Sequence, residues 1–119
     1  MIAGIGIDIV DLEHMASVCQ KKPNIVEKIL TEKEMTIYES RGEKRKLEFL
    51  AGRYAAKEAF SKAMGTGIGK TVTFQNVTIL NNEKGQPEMT ESPFEGKVFV
   101  SISHSKHMAV AQVVLEKLN

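Results

Sequence analysis

The longest periodic segment of the chain runs from about Glu43 to Met64 and contains no proline. It is rich in Ala, Leu, Lys and Glu, which favour helix, and the glycines at 65, 67 and 69 mark its end. At about 3.6 residues per turn, two opposite stripes carry apolar side chains. One stripe holds Leu47, Ala51, Tyr54, Glu58 and Lys62, and the other holds Phe49, Arg53, Ala56 and Phe60. A helix that is apolar on two sides needs neighbours on both, so this segment is predicted to be the central helix of the fold.

A strand and three shorter helices are predicted before the central helix. Residues 2–10 predict a buried strand, and Asp11 is expected to cap a helix near 12–21. A short helical stretch covers 25–30, and Thr31 with Glu34 forms a capping box that opens a helix near 32–40. The apolar residues assigned to the buried strand are Ile2, Ile5, Ile7, Ile9 and Val10, with Gly4 and Gly6 interleaved.

After the glycines the pattern changes to a period of two, which predicts strands. These strands are expected at 72–74, 77–80, near 87–90, 98–103 and 108–115. Turn residues at 82–85 predict a hairpin, and the short link 105–107 should make the last two strands an antiparallel pair. The expected fold class is α+β: an N-terminal strand, a helical segment with one long central helix, then an antiparallel sheet.

Length and charge limit the classes of protein that the chain can be. Its 119 residues fit a single domain, 1–119. A net charge of +1 gives no case for nucleic-acid binding, and no stretch approaches the ~18 apolar residues of a membrane helix. The single cysteine, Cys19, cannot form an intrachain disulfide, and the N-terminus lacks signal-peptide features, so a cytoplasmic protein is expected.

Basic residues are concentrated in the first two-thirds of the chain, which predicts a local cationic surface despite the balanced total charge. The residues expected on it are Lys21, Lys22, Lys28, Lys44, Arg45, Lys46, Arg53, Lys57, Lys62 and Lys70.

Three features stand out chemically, although each has an ordinary explanation by itself. Asp8 places a carboxylate in an aliphatic strand, where it needs a partner or a metal unless it caps the next element. Glu58 and Lys62 lie one turn apart, which is also the spacing of a surface pair worth about 0.3–0.5 kcal/mol. The segment Ser101–Ser105 holds His104 among short polar residues, as a hairpin rim does. No neighbouring acid orients that histidine, so a Ser-His nucleophile is unsupported.

Two familiar nucleotide-binding fingerprints fail. The run from Gly65 to Thr71 has Met64 where a phosphate-binding loop needs its first glycine, and it follows a helix instead of a strand. The segment beginning at Gly4 has Ile9 where the third glycine of a dinucleotide-binding motif belongs. These glycines still allow backbone amides to approach a phosphate closely.

Three segments carry a family resemblance in the same order and spacing along nearly the whole chain. They are Gly4–Val10, the helix Phe49–Ala63 with Gly65–Gly69 after it, and Ser101–Ser105. The chain resembles the bacterial holo-acyl-carrier-protein synthases, a family of the 4′-phosphopantetheinyl transferase superfamily. The resemblance implies an enzyme that moves the 4′-phosphopantetheine arm of coenzyme A onto a serine of an apo acyl carrier protein. Adenosine 3′,5′-bisphosphate would leave, and the product would support fatty acid biosynthesis.

The same resemblance implies the site residues. The metal ligands fall on Asp8 and Glu58, with Mg²⁺ as the expected ion and Mn²⁺ as an alternative. Lys62 would offset phosphoryl charge, and Glu58, directly or through a metal-bound water, is the candidate for accepting the serine proton. The residues expected around coenzyme A are Lys44, Arg45, Arg53, Ser61, Lys62, Gly65, His104 and Ser105.

The resemblance also implies a homotrimer with each site between two subunits, and a basic face that receives the acidic carrier. The matching docking residues are His14, Val18, Lys21, Lys22, Ile25 and Lys28, with Met15 as a further apolar contact. Two other classes stay open: a binding module that only docks an acidic partner, and a nucleotide-binding structural protein. The first leaves Asp8, Glu58 and Lys62 unexplained, and the second lacks both glycine fingerprints.

Overall fold

The fold is described here from a computed structural model that covers residues 1–118. Its elements are β1 (Ile2–Asp11), α1 (Leu12–Lys21), α2 (Ile25–Ile29), α3 (Glu32–Glu39), α4 (Glu43–Met64), a 3₁₀ turn (Phe74–Asn76), β2 (Thr78–Asn81), β3 (Pro87–Glu91), β4 (Gly96–His104) and β5 (Met108–Lys117). The expected α+β class and the long central helix are confirmed. No helix among these residues combines the length and apolar character that a membrane crossing requires.

The helix α4 lies against one face of a three-stranded antiparallel sheet with strand order β1-β5-β4. Ala55 and Ala59 of α4 are fully buried, as are Ala109 and Val113 of β5. The strands β2 and β3 form a separate antiparallel hairpin. The core therefore sits between α4 and the inner face of the larger sheet, and small side chains on both partners let helix and sheet approach closely.

The closest approach is made by the two glycines of β1. A Cβ at Gly4 would lie 2.1 Å from the Ala63 carbonyl oxygen, and one at Gly6 would lie 1.9 Å from that of Ala59. Only glycine fits so near a helix backbone. These glycines thus serve helix–strand packing, and they draw the inner residues of β1 onto the last turns of α4.

The outer face of β1 corrects the prediction of a buried strand. Ile5 and Ile7 are 60% and 58% exposed, and Ile2 and Ile9 are also exposed, whereas Val10 is buried. Period-two alternation explains the difference, because Gly4, Gly6, Asp8 and Val10 occupy the inner face. The isoleucines point away from α4, together with exposed Phe99 of β4.

The strand predicted at 72–74 is wrong, because this segment forms the 3₁₀ turn after a single bridge between Ile68 and Val72. The Thr73 hydroxyl accepts from the Asn76 amide at 3.1 Å, and the Asn76 side chain accepts from the Thr73 amide at 3.0 Å. Local side-chain bonds of this kind compete with strand pairing. The strand expected at 77–80 begins one residue later, at Thr78.

Both predicted helix caps are present. The Asp11 carboxylate accepts from the His14 amide at 2.8 Å at the start of α1. The Glu34 carboxylate accepts from the Thr31 amide at 2.9 Å, which forms the capping box of α3. The two predicted hairpins are also confirmed, with β2 paired to β3 and β4 paired to β5.

Candidate active site

Asp8 lies on the inner face of β1 and contacts the last turns of α4. Its carboxylate accepts from Lys62 Nζ at 2.9 Å, and the same ammonium donates to the Ile7 carbonyl at 3.1 Å. The Asp8 side chain is 16% exposed and that of Lys62 is 53% exposed, so the pair sits at the protein surface with the carboxylate turned inward. The two glycines that precede Asp8 set this geometry.

Glu58 lies one turn before Lys62 on α4 and is close enough to interact electrostatically with Asp8 and Lys62. Burial raises the pKa of the Glu58 carboxyl, the charge of Asp8 raises it further, and Lys62 lowers it. Because the charge of Asp8 disfavours ionisation of Glu58, the two carboxylates favour a bound cation. Residues 1–118 contain no cluster of three or more His, Cys, Asp or Glu side chains with metal-binding geometry. The pair therefore fits an ion that completes its shell with water and substrate oxygens, as Mg²⁺ does.

Tyr54 belongs to the same neighbourhood, and the sequence analysis gave it no role. Burial raises the pKa of its hydroxyl, and the charges of Glu58 and Asp8 raise it further. Its ring stacks on Phe74 with centroids 5.6 Å apart. Tyr54 shares the helical stripe of Glu58, so the spacing signal was present, but a tyrosine on an apolar stripe is ordinarily a packing residue.

Ser61 and Gly65 shape the end of α4. The Ser61 hydroxyl is buried and donates to the Glu58 carbonyl at 2.7 Å. Its own carbonyl accepts from the amides of Thr66 and Gly67. Gly65 adopts the left-handed conformation, with φ of 79°, that ends the helix. The Ser61 hydroxyl thus stabilises the helix end, and the predicted role of Ser61 in lining the pantetheine path stays a prediction.

A cationic cavity of about 230 Å³ lies between the first turns of α4, the β2–β3 hairpin and the end of β4. Arg45, Arg53 and His104, which are among the residues expected around coenzyme A, line it together with Arg41, to which the sequence assigned no role. His104 Nδ1 lies 3.5 Å from a carboxylate oxygen of Glu48. The cavity has the positive charge to receive a nucleotide phosphate.

Arg53 is held more rigidly than a surface arginine. Its Nε donates to the Ile79 carbonyl at 3.2 Å, its Nη2 donates to the Asn81 side chain at 3.1 Å, and it stacks over the Phe49 ring at 4.3 Å. Burial lowers its pKa to about 10, which still leaves it charged at neutral pH. The inclusion of Arg53 in an exposed cationic surface is wrong, since only the edge of this buried group reaches the cavity.

Lys44 and Ser105 lie apart from the cationic cavity in this chain. Lys44 lines another cavity, of about 230 Å³, together with Glu13 and His107. The Ser105 hydroxyl accepts from the amides of His107 and Met108 at 3.3 and 3.2 Å, which closes the β4–β5 turn. Their predicted contact with coenzyme A stays a prediction.

The predicted docking residues lie on α1 and α2. Four of them are exposed and two are half-buried, which leaves a basic surface with apolar positions between the charges. The exposed ones are His14, Lys21, Lys22 and Lys28, and the half-buried ones are Val18 and Ile25. Met15 is 5% exposed and packs in the core, so its prediction as a carrier contact is wrong. Successive residues of a helix point in different directions, so Met15 faces the core while His14 faces outward.

Lys57 also departs from the predicted cationic surface. Its side chain is fully buried and its ammonium donates to Glu34 Oε1 at 2.6 Å. Within residues 1–118 no buried side-chain nitrogen or oxygen lacks a hydrogen-bond partner, so this pair is fully satisfied. The basic surface is therefore smaller than the sequence indicated.

Comparison with known proteins gives consistent matches over nearly the whole chain. The family model of the 4′-phosphopantetheinyl transferase superfamily matches residues 4–115. A holo-[acyl-carrier-protein] synthase of Anoxybacillus flavithermus is 50% identical over 119 residues, covering 100% of this chain and 99% of that protein. One of Enterococcus faecalis is 51% identical over 116 residues, covering 98% of each chain.

Solved structures agree with the sequence matches. A holo-(acyl-carrier-protein) synthase of Bacillus anthracis, in complex with CoA (3′,5′-ADP), superposes with a TM-score of 0.93 at 49% identity and covers 99% of both chains. The holo-[acyl-carrier-protein] synthase of Helicobacter pylori in complex with coenzyme A gives a TM-score of 0.82 at 33% identity, covering 94% of this chain and 99% of that one.

An α+β fold with an Asp–Glu–Lys cluster and a cationic cavity is thus found in a chain that matches one enzyme superfamily. The chain belongs to the 4′-phosphopantetheinyl transferase superfamily, and within it to the holo-[acyl-carrier-protein] synthases. The family resemblance predicted from the three segments is confirmed.

Proposed function

We propose that the chain carries out this family's reaction at the cluster formed by Asp8, Glu58 and Lys62. The serine hydroxyl oxygen of an apo acyl carrier protein bonds to the β-phosphorus of coenzyme A, which carries the pantetheine arm. The bond from that phosphorus to the bridging oxygen of the pyrophosphate breaks, and adenosine 3′,5′-bisphosphate leaves with the bond electrons. The holo carrier protein then serves fatty acid biosynthesis.

One observation carries the proposal: the close packing of β1 on α4 sets Asp8 against the Lys62 ammonium, one turn from Glu58. Asp8 and Glu58 would hold the divalent cation, Mg²⁺ or Mn²⁺. When bound, that ion neutralises pyrophosphate charge and aligns the phosphorus for in-line attack. Lys62 supplies a second positive charge to the phosphoryl oxygens.

Glu58 is the proposed base. Because burial and the charge of Asp8 raise its pKa, its carboxylate is a better proton acceptor than an ordinary glutamate. It would take the serine proton as the oxygen–phosphorus bond forms. Asp8, which is already bonded to Lys62, is better suited to binding and orientation.

Coenzyme A would lie with its nucleotide end in the cationic cavity and its pantetheine arm along the loop after α4. Arg45 and Arg53 supply positive charge there, and all three of Arg45, Arg53 and His104 offer hydrogen-bond donors to phosphate. The reversed backbone at Gly65 allows close approach without a side chain in the way. Lys44, His104 and Ser105 would reach the active-site cluster of a neighbouring copy of the chain, so each coenzyme A would lie between two subunits.

The outer face of the sheet supports a homotrimeric assembly. Ile5 faces Val114 of β5, which faces Phe99 of β4, so apolar side chains run across all three strands. Ile5 and Phe99 are 60% and 54% exposed in the single chain. An apolar surface of this kind is typical of a protein interface. Association would bury it and bring the end of β4 to a neighbour's cluster.

The carrier protein would bind the face formed by α1 and α2. Lys21, Lys22 and Lys28 provide positive charge for an acidic partner, and half-buried Val18 and Ile25 provide apolar contact. Lysine keeps the charge of an arginine but forms no bidentate pair. This face therefore serves attraction and orientation more than tight binding.

The proposal is tested by the intact mass of an acidic apo carrier protein after incubation with this protein, coenzyme A and Mg²⁺. We expect a gain of roughly 340 Da, the mass of one phosphopantetheine, and no gain with excess chelator, because the two carboxylates act through a bound cation. No gain across several carriers, in a protein that binds coenzyme A, would indicate a binding module instead.

A matched pair of variants locates the chemistry. Glu58→Gln should abolish the mass gain without loss of fold, since it removes a cation ligand and the base together. Glu43→Gln, on the same helix with its side chain 97% exposed, should leave the mass gain unchanged. Equal activity in the two variants would remove Glu58 from the mechanism.

A further inference from the structure

The C-terminal end of α2 is held by side chains from two other elements. Gln75 Nε2, in the 3₁₀ turn, shares its two N–H donors among the carbonyls of Glu27, Lys28 and Leu30 at 3.0, 3.2 and 3.0 Å. Lys57 Nζ, in α4, donates to the Ile29 carbonyl at 2.7 Å. Four successive carbonyls at the end of α2 therefore receive donors from outside the helix.

Lys57 connects this helix end to the rest of the protein. Its ammonium also donates to the Phe74 carbonyl at 2.8 Å and to Glu34 Oε1 at 2.6 Å. The other oxygen of Glu34 accepts from the Ile79 amide at 2.9 Å. Three donors of one ammonium thus join α2, α3 and the 3₁₀ turn, from the residue immediately before Glu58.

The short helix needs such anchors. With five residues, α2 is too short to be stable alone, since isolated helices shorter than about 12 residues are marginal in water. Val26 and Ile29 anchor its inner side in the core, while Lys28 is exposed. The carbonyl bonds fix the rotation and depth of α2, and hence the direction in which Lys28 and Ile25 face.

We propose that Gln75 and Lys57 are positioning residues for the carrier protein: they hold α2 so that Ile25 and Lys28 face the partner in register with the active site. The inference rests on the proposed docking face and adds to it two residues that contact neither substrate. Lys57 places the anchor of the docking helix directly beside the catalytic Glu58 in the chain.

The test is Gln75→Met, which keeps the length and neutrality of the side chain and removes its donor. Loss of these hydrogen bonds should raise the KM for the apo carrier about three- to tenfold. The KM for coenzyme A and kcat at saturating carrier should stay within about twofold of wild type, because the active-site cluster is untouched. Gln86→Met, the same change in the β2–β3 turn, should leave the KM for the apo carrier unchanged.

Hydrogen exchange supplies a readout without the carrier. Amides of residues 27–31 should exchange faster in Gln75→Met than in wild type or Gln86→Met, because α2 loses its anchors. Lys57→Met should raise the carrier KM further, and Lys57→Gln, which retains donors, should raise it less. Should the Lys57 variants fail to fold, Gln75→Met decides the matter.

Lys28→Ala separates the positioning role from the docking face itself. If it raises the carrier KM while Gln75→Met does not, the docking face stands and the positioning role is refuted. Lys28→Ala could instead leave the carrier KM unchanged while amide exchange in 27–31 is faster in Gln75→Met. That result would refute the docking face, and with it the positioning role. A parallel rise in both variants, with coenzyme A kinetics intact, supports the inference.

Discussion

Gly6→Ala is expected to damage both stability and turnover. The added Cβ would lie 1.9 Å from the Ala59 carbonyl oxygen, 2.8 Å from the Ala63 amide nitrogen and 2.9 Å from the Ala59 carbonyl carbon. Ordinary contact begins at 3.4 Å, so β1 must move about 1.5 Å away from α4. All three atoms belong to the helix backbone and cannot rotate aside. Overpacking typically costs about 1–3 kcal/mol, and a backbone clash belongs at or above the upper end.

The same movement should reach the active site, because Asp8 follows Gly6 on the inner face of β1. A shift of about 1 Å in a positioned group can cost about 10²-fold in rate. At temperatures where the variant is still folded, we therefore expect turnover to fall by about two orders of magnitude. The melting temperature should fall by about 10 °C or more, given ~3 kcal/mol in a small domain.

Thermal melts by circular dichroism and the carrier mass assay, run well below the melting temperature, measure the two effects. Gly42→Ala is the matched control: its backbone is extended, with φ of −75°, and among the described residues no atom lies within 4 Å of the added Cβ. It should stay within about 1 kcal/mol of wild type. If Gly6→Ala matched Gly42→Ala in both melt and turnover, the close packing of β1 on α4 would not be what positions Asp8.

Three other variants or conditions test separate parts of the structure. Turnover should fall as the pH drops through the raised pKa of Glu58, at a higher pH than for an ordinary glutamate, because the ionised carboxylate is the working form. Because its pKa is raised in the folded protein, ionised Glu58 lowers the stability of the fold above that pKa. With chelator present, the melting temperature of Glu58→Gln should therefore exceed that of wild type at pH 8, and the difference should shrink at acidic pH. An equal difference in melting temperature at both pH values would contradict the raised pKa. Ile5→Glu should dissociate the assembly into monomers, as measured by light scattering, and should remove activity. An unchanged molecular mass of the assembly would exclude the apolar sheet face as the interface. Lys57→Met should lower the free energy of unfolding by about 3–5 kcal/mol in urea, since it strands the Glu34 carboxylate; adding Glu34→Gln should recover part of that loss, and simple additivity would argue against the buried pair.

The family resemblance assigned Asp8, Glu58 and Lys62 to one candidate site, whereas each residue by itself had an ordinary explanation. Asp8 in an aliphatic strand and Glu58 one turn before Lys62 are both visible as charges in apolar surroundings, and the structure places Asp8 against Lys62. The caps at Asp11 and Thr31 depend on residues within three positions and were also predictable. Features of this kind need no knowledge of distant contacts.

Long-range contacts account for what the sequence did not predict. Lys57 appears as one more helical lysine, and its burial depends on Glu34, 23 residues earlier in the chain. The outward direction of the isoleucines depends on which face of β1 meets α4, which alternation alone does not decide. The turn at 74–76 is held by hydrogen bonds within 71–76, but the sequence of this segment also fits the period-two pattern of a strand.

The packing of β1 on α4 also prevents β1 from shifting by one residue along its partner strand. A shift of one residue would exchange the two faces, turning Asp8 outward and bringing an isoleucine to the position of Gly6. At that position even a single methyl group meets the Ala59 carbonyl oxygen at 1.9 Å. The two glycines thus select one alignment of β1, because a strand shifted by one residue cannot pack on α4. A strand that does pack on α4 has Asp8 on its inner face.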